Sequence, residues 1–400
     1  MKKTLLLQTA LVAAAGMMLA DVANAQTKAQ PLAITLGGFW TQFVKFQDKD
    51  IPAGQPNQHS VGTASDAEVY FNIRGVLDDG TVIGGQIQLE AATYGDQIDE
   101  RYMFIERADI GRIEIGSTDR VHGKMLYFAP TVLPGHSTTV HSEYSSAQGN
   151  GGTPLMWFAN NNHDTEGLNI YTASNRYFGS KVGKGLQLGF SYTPDGCQDF
   201  SSASGNNPGC GPGFGGTANN GQLSKQYSVA ANYLETLGPV DVALYGSWNT
   251  VHLEGTLGAG VTDRRQDGWQ VGAQFAYNVG DGSAIQFGGG YSNEDVGRDA
   301  TGEGLGVIKD REAYSVGLRY LTNGAAPGSV GIGVEYYNRE DTRTLGAGKN
   351  ELDYYQLGLT YQLATGVLSF AGVGVSDLDV PGSANDIKQT FGVVGIGLTF

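Results

Sequence analysis

The 400-residue chain has 61 glycines, 20 tyrosines and 16 phenylalanines, a formal charge of −15 and only 40 % apolar residues. Glycine at about twice its average usage, but with no three-residue period, excludes collagen, and recurring aromatic and β-branched residues exclude a disordered chain. The acid excess excludes nucleic acid as the main partner, because phosphate binding needs a basic face.

Residues 1–25 (MKKTLLLQTALVAAAGMMLADVANA) combine Lys2 and Lys3, an apolar stretch from Leu5 to Ala20, and the small-x-small run Ala23-Asn24-Ala25. That is the layout of a secretory signal peptide removed on export. The mature chain is therefore expected to start at Gln26 and to form a single domain, 26–400. The apolar core of the leader is short for a membrane anchor, and no later stretch approaches the roughly 18 uninterrupted apolar residues of a spanning helix.

From residue 31 onward the apolar pattern has a period of two, the mark of strands with two unlike faces. Sixteen segments carry it: 32–46, 66–78, 81–93, 101–107, 111–117, 167–174, 185–193, 226–237, 240–252, 267–279, 283–293, 312–322, 329–339, 352–363, 366–376 and 388–400. In 353–363, Tyr355, Leu357, Leu359, Tyr361 and Leu363 alternate with Tyr354, Gln356, Gly358, Thr360 and Gln362. Tight-turn chemistry joins strands at Asp78-Asp79-Gly80, Gly238-Pro239, Gly280-Asp281-Gly282, Asn323 to Gly328 and Ala364-Thr365-Gly366. Long polar loops at 47–65, 194–225, 253–266, 294–311, 340–351 and 377–387 separate these hairpins. Alternation of short and long connections predicts an antiparallel up-and-down meander with every long loop on one rim.

Cys197 and Cys210, the two cysteines, flank DFSSASGNNPG. In an exported chain this pair is expected to close a disulfide worth roughly 3 kcal/mol. Two free thiols is the other reading, and an intact-mass shift on reduction separates the two.

Three strands carry tyrosines six residues apart on the apolar face: Tyr227/Tyr233, Tyr314/Tyr320 and Tyr355/Tyr361. Six residues at about 3.3 Å span roughly 20 Å, close to the apolar band between the two aromatic girdles of a transmembrane barrel. Tyrosine suits such a border, its ring apolar and its hydroxyl wanting water. Sixteen strands enclose more space than side chains fill, so the lumen is expected to be aqueous and its wall polar. By parity, Glu68, Tyr70 and Arg74 face inward from the second strand and Gln86, Gln88 and Glu90 from the third. Arg112 and Glu114 do so from the fifth, with Arg319 and Glu335 further on. The final strand ends on Phe400 and must pair with the first, since lipid satisfies no backbone group.

Enzyme signatures fail. His141-Ser142-Glu143 lacks the Pro-Cys-x-x-Cys half of a zinc deaminase motif, and the glycines of 211–216 follow no strand and open no helix. No catalytic residue and no cofactor is expected.

With these features the chain resembles the general porins of Gram-negative outer membranes, in particular the sixteen-stranded family common in alphaproteobacteria. The resemblance rests on Gly111-Arg112-Ile113-Glu114-Ile115-Gly116, on Asn169-Ile170-Tyr171 followed by Phe178-Gly179, and on the terminal Phe400. Two departures from the family pattern, Ser117 after Gly116 and Ala173-Ser174-Asn175 after the tyrosine, touch pore details rather than architecture. The resemblance implies an all-β transmembrane barrel in the outer membrane, usually a homotrimer, among lipid and lipopolysaccharide. It implies that Phe400 is read by the barrel-assembly machinery. It also implies that the longest connection, about 117–166, folds inward as a constriction loop bearing Asp119, Arg120, Lys124 and Glu143. Arg74 and Arg112 on the wall, facing Asp119 or Glu143 on that loop, would set a transverse field of the kind that gives pores selectivity. The expected function is passive diffusion of small hydrophilic solutes with weak cation preference. A substrate-specific channel and a non-conducting structural or adhesive barrel are the alternatives.

Overall fold

The computed structural model describes residues 29–50, 59–91, 98–107, 109–131, 133–134, 166–172, 184–195, 223–253, 265–295, 308–324, 326–343, 348–379 and 387–400. The leader 1–25, Glu143, Cys197 and Cys210 lie outside them.

Sixteen strands and one short helix follow in chain order: β1 (Gln30–Lys49), β2 (Val61–Val76), β3 (Val82–Glu90), β4 (Ile98–Arg107), β5 (Gly111–Ser117), α1 (Val121–Lys124), β6 (Glu166–Thr172), β7 (Gly185–Asp195) and β8 (Leu223–Leu237). The second half comprises β9 (Val240–Leu253), β10 (Arg265–Gly280), β11 (Ser283–Asp295), β12 (Ile308–Leu321), β13 (Val330–Arg343), β14 (Lys349–Ala364), β15 (Val367–Asp379) and β16 (Ile387–Thr399). Each strand pairs antiparallel with its predecessor, and β16 closes on β1 from Phe39↔Thr399 to Lys49↔Gln389. The Phe400 N–H donates to the Gly38 carbonyl (3.1 Å) and the Gly38 N–H to the Phe400 carbonyl (3.0 Å), so the last residue completes the seam. At the β10–β11 turn, Asp281 and Gly282 adopt φ of 51° and 74°, the left-handed pair that a tight hairpin demands.

The strands run further toward the long-loop rim than the apolar alternation does. β12 starts at Ile308 rather than 312, and β13 ends at Arg343 rather than 339. Arg311 and Glu294, assigned from sequence to a long loop, are instead buried on β12 and β11 with Glu294↔Arg311 in register. The apolar signal stops where the membrane band stops, whereas backbone pairing continues, held here by ion pairs such as Arg311 to Asp341 (2.7 Å).

The tyrosines of all three pairs are exposed on the outer wall. Inside, the wall is not uniformly polar. Phe43, Phe370, Phe391 and Val393 on β1, β15 and β16 point inward, and with Tyr171, Tyr245, Tyr337 and Tyr354 they form a buried apolar cluster. Its other half is the chain after β5, through Val121, Met125, Leu126, Tyr127, Phe128 and Leu133. A chain crossing a wide barrel must bury its own apolar side chains, and the wall supplies the complementary surface.

Candidate functional site

The chain leaves β5 at Ser117 and turns into the ring instead of rising to the rim. Two carboxylates hold that turn. Glu100 on β4 accepts hydrogen bonds from the Thr118 hydroxyl (2.6 Å) and the Asp119 backbone N–H (2.9 Å). Glu114 on β5 accepts from Lys124 Nζ (3.0 Å), Asn169 Nδ2 (3.0 Å) and the Tyr171 hydroxyl (3.2 Å), and pairs with Arg112 (2.8 Å). Arg112 reaches Glu106 with its other arm (2.9 Å) and lies over the Phe104 ring at 3.7 Å. Arg112 and Glu114 are each only 2 % exposed. Charges so deep are tolerated because the ion pairs balance, Glu106 and Glu114 against Arg112 and Lys124, with the Glu114 oxygens further satisfied by Asn169 and Tyr171. Burial alone would lower the Lys124 pKa, but the Glu114 carboxylate beside it outweighs burial and holds it well above the ordinary lysine value.

From α1 onward the segment follows the inner wall, and side chains from successive strands take up its backbone groups. The Val121 N–H donates to Ser191 Oγ on β7 (2.8 Å), Asn232 Nδ2 on β8 donates to the Met125 carbonyl (3.0 Å), and the Tyr245 hydroxyl on β9 to that of His122 (2.6 Å). Gln274 on β10 donates to the Phe128 carbonyl. A segment with a single helical turn thus meets much of its hydrogen-bonding need from the wall.

Toward the long-loop rim the lumen has two unlike sides. Asp66 and Glu68 on β2, Glu90 on β3, and Asp99 and Glu100 on β4 make an acidic side, where oxygens of Asp66, Glu68 and Glu90 lie within 4.8 Å of one another. Half the ring away, Arg311 on β12 and Arg339 on β13 share Asp341 through their Nε atoms at 2.7 and 3.3 Å.

A polar-walled ring of sixteen strands with an internal segment is the layout of a pore, and the model of the Gram-negative porin family matches residues 9–380. The chain belongs to the Gram-negative porin family. It is an outer-membrane channel for passive diffusion. The porin shares its fold with the outer membrane channel DcaP of Acinetobacter baumannii (TM-score 0.56, 12 % identity, covering 94 % of this chain and 100 % of that one). It is similar in the same way to an anion-selective porin from Comamonas acidovorans (0.54, 14 %, 92 % and 100 %). A third likeness is to a loop-deletion mutant of OmpT, an outer membrane protein of Vibrio cholerae (0.53, 14 %, 93 % and 100 %). At such identities these likenesses speak for the fold alone. No curated protein matches the sequence.

Of the residues singled out from sequence, the porin places Glu68, Arg74 and Glu90 on the inner faces of β2 and β3. Arg112, Glu114 and Lys124 meet in the buried tie at the root of the loop rather than at the water-filled centre. Arg120 is 1 % exposed, its guanidinium turned to the carbonyls of Gly116 and Thr118 and to Asn169. Asp119 is half-buried beside it, its carbonyl accepting from Asn169 (2.9 Å). Sequence reasoning missed Asp66, Asp99, Glu100, Arg339 and Asp341 as lumen residues. Parity carried past the end of the apolar band, on β2 and β13, was the signal available for Asp66, Arg339 and Asp341.

Proposed function

We propose that this porin is a general diffusion channel for small hydrophilic solutes and ions, weakly cation-preferring and homotrimeric. The observation that carries the reading is the course of the described residues after β5, which stay against the inner wall from Ser191 on β7 to Gly372 on β15. That course favours an open bore over a plugged barrel. Opposed acidic and arginine-bearing sides give a transverse field near the mouth, which orients polar solutes and disfavours apolar ones. Asp66, Glu68 and Glu90 crowd one side of the lumen against two arginines that already share Asp341, and an acidic surface concentrates cations.

The trimer is supported by the outer face of β3 to β6. It presents Ile87, Leu89, Met103, Ile105, Ile113, Ile115 and Ile170, and no outward tyrosine or tryptophan. A wall without girdle residues fits a partner subunit better than lipid.

Planar-bilayer recording of the purified protein tests the reading. Stepwise, ohmic conductance with a reversal potential of the cation sign in a salt gradient is the expected result. A silent bilayer means a non-conducting barrel, saturable flux of one solute means a specific channel, and an anion-signed potential removes the selectivity.

A further inference from the structure

We infer that a row of inward-facing glycines on β10, β11 and β12 is the seat of the Tyr127–Pro130 segment, and that Gly272 and Gly290 set the bore by letting it lie against the wall. The inference rests on the channel reading and names the residues that fix its width. A methyl added at Gly272 would strike the Tyr127 carbonyl oxygen and stand 2.7 Å from Phe128 Cδ1. At Gly290 it would enter the Phe128 ring, with Cγ at 2.8 Å. At Gly288 it would approach the Phe128 carbonyl oxygen at 3.0 Å, and at Gly317 Pro130 Cδ and Ala129 Cβ at 3.1 and 3.2 Å. Gly372 on β15 continues the row, meeting Leu133 Cδ1 at 2.5 Å.

None of these glycines has a positive φ. Their backbones are ordinary strand that any residue adopts, so conformational freedom does not explain them. Glycine inside a strand weakens it, and its usual reason there is the close approach of another chain. Here that chain is visible. Phe128 is 2 % exposed, edge-on to Tyr245 at 6.0 Å, and Gln274 holds its carbonyl. With side chains under it, the segment would stand further toward the pore axis, and the bore would narrow.

Single-channel conductance and liposome swelling with sugars of increasing size test this on the full-length protein. Gly290→Ala is expected to lower conductance and the size limit, and adding Phe128→Ala restores both, because the clash is with the ring. Gly272→Ala is expected to lower both as well, but Phe128→Ala leaves much of the loss, because a backbone oxygen remains in the way. Gly397→Ala is the inward-facing control and should match the unsubstituted porin, since its methyl meets nothing nearer than Thr41 Oγ1 at 3.8 Å. If Gly290→Ala fails to assemble by heat-modified gel mobility, the milder Gly317→Ala takes its place, with a smaller loss expected. Folded Gly290→Ala, or Gly317→Ala in its stead, conducting like or above the unsubstituted porin overturns the seat. So does Phe128→Ala rescuing both glycine variants equally. If the unsubstituted porin itself is silent, the channel reading fails and the bore set by these glycines falls with it, whereas a conducting porin with unaffected glycine variants sinks the seat alone.

Discussion

Strands β3 to β6 contain 9, 10, 7 and 7 residues, whereas β8 to β15 contain 13 to 16. The seven residues of β5, with described residues on both sides, rise only roughly 18 Å at a tilt of about 40°, short of an apolar band of about 25 Å. The short wall is aliphatic outside and charged inside, where Arg112, Glu114 and Lys124 tie strand to loop. The tall wall is built differently. It carries a chain of outer aromatics, Tyr192–Tyr227 (4.9 Å), Trp269–Tyr291 (5.2 Å), Tyr314–Tyr336 (5.6 Å) and Tyr336–Tyr355 (4.6 Å), over an inner face of glutamines, serines and glycines on β8 to β11. Lipid anchors one side of the barrel from outside. The other is tied from inside by an ion network, and its aliphatic outer face is the contact we propose between subunits.

The largest effect should come from breaking the short wall. Ile115→Arg puts a charge in the proposed contact between subunits and is expected to turn trimers into monomers in unheated gel electrophoresis. Trimers that persist would place the contact elsewhere. Glu114→Gln strikes the same wall from inside. It leaves Arg112 and Lys124 short of a buried counter-charge, at a cost of about 3–5 kcal/mol in urea unfolding. A cost within the 0–1 kcal/mol of an exposed pair would deny the network its role. The pH dependence has a definite sign. The folded Lys124 pKa is raised, so its contribution is complete below the unfolded lysine value of about 10.4 and fades as pH climbs through the higher folded one. Lys124→Met should remove that part of the alkaline loss, and an unchanged profile would contradict it.

This contrast between walls was only half legible in the sequence. A period of two is a local signal, so all sixteen strands could be found from it, and parity placed Arg112 and Glu114 on the inner face. What parity cannot report is whether a charge meets water or another charge. That depended on Lys124 being carried back over β5 by α1, and on Glu100 catching Thr118. The apolar side chains from Val121 to Phe128 were visible as residues, but with no sustained period they had no readable direction. The heights of the walls were legible in part, since 111–117 is already shorter than 226–237 or 352–363, but nothing in the alternation told that the chain turns inward where it stops.

The tall wall should respond by depth. Leu318→Arg, between Tyr314 and Tyr320 on β12, faces the middle of the apolar band and is expected to cost about 2–4 kcal/mol of barrel stability in lipid while leaving the trimer intact. If it splits the trimer, the tall wall is an interface as well and the two walls are not distinct.

The smallest effect belongs to the girdle itself. Tyr336 stacks on Tyr355 at 4.6 Å with 30° between the rings, and its hydroxyl donates to Asp353 (2.6 Å). Tyr355→Ala removes the ring contact and leaves that hydrogen bond, so a loss of about 0.5–1.5 kcal/mol is expected in lipid vesicles. Its dependence on solvent carries the argument. A girdle tyrosine draws its value from a border between hydrocarbon and water, whereas a ring packed only against its neighbour does not need one. The loss should therefore shrink when the same variant is unfolded from detergent micelles, which lack a flat interface. An equal loss in both would mean that Tyr336 and Tyr355 stabilise each other as a pair, and that the tall wall is held by side-chain packing more than by its membrane.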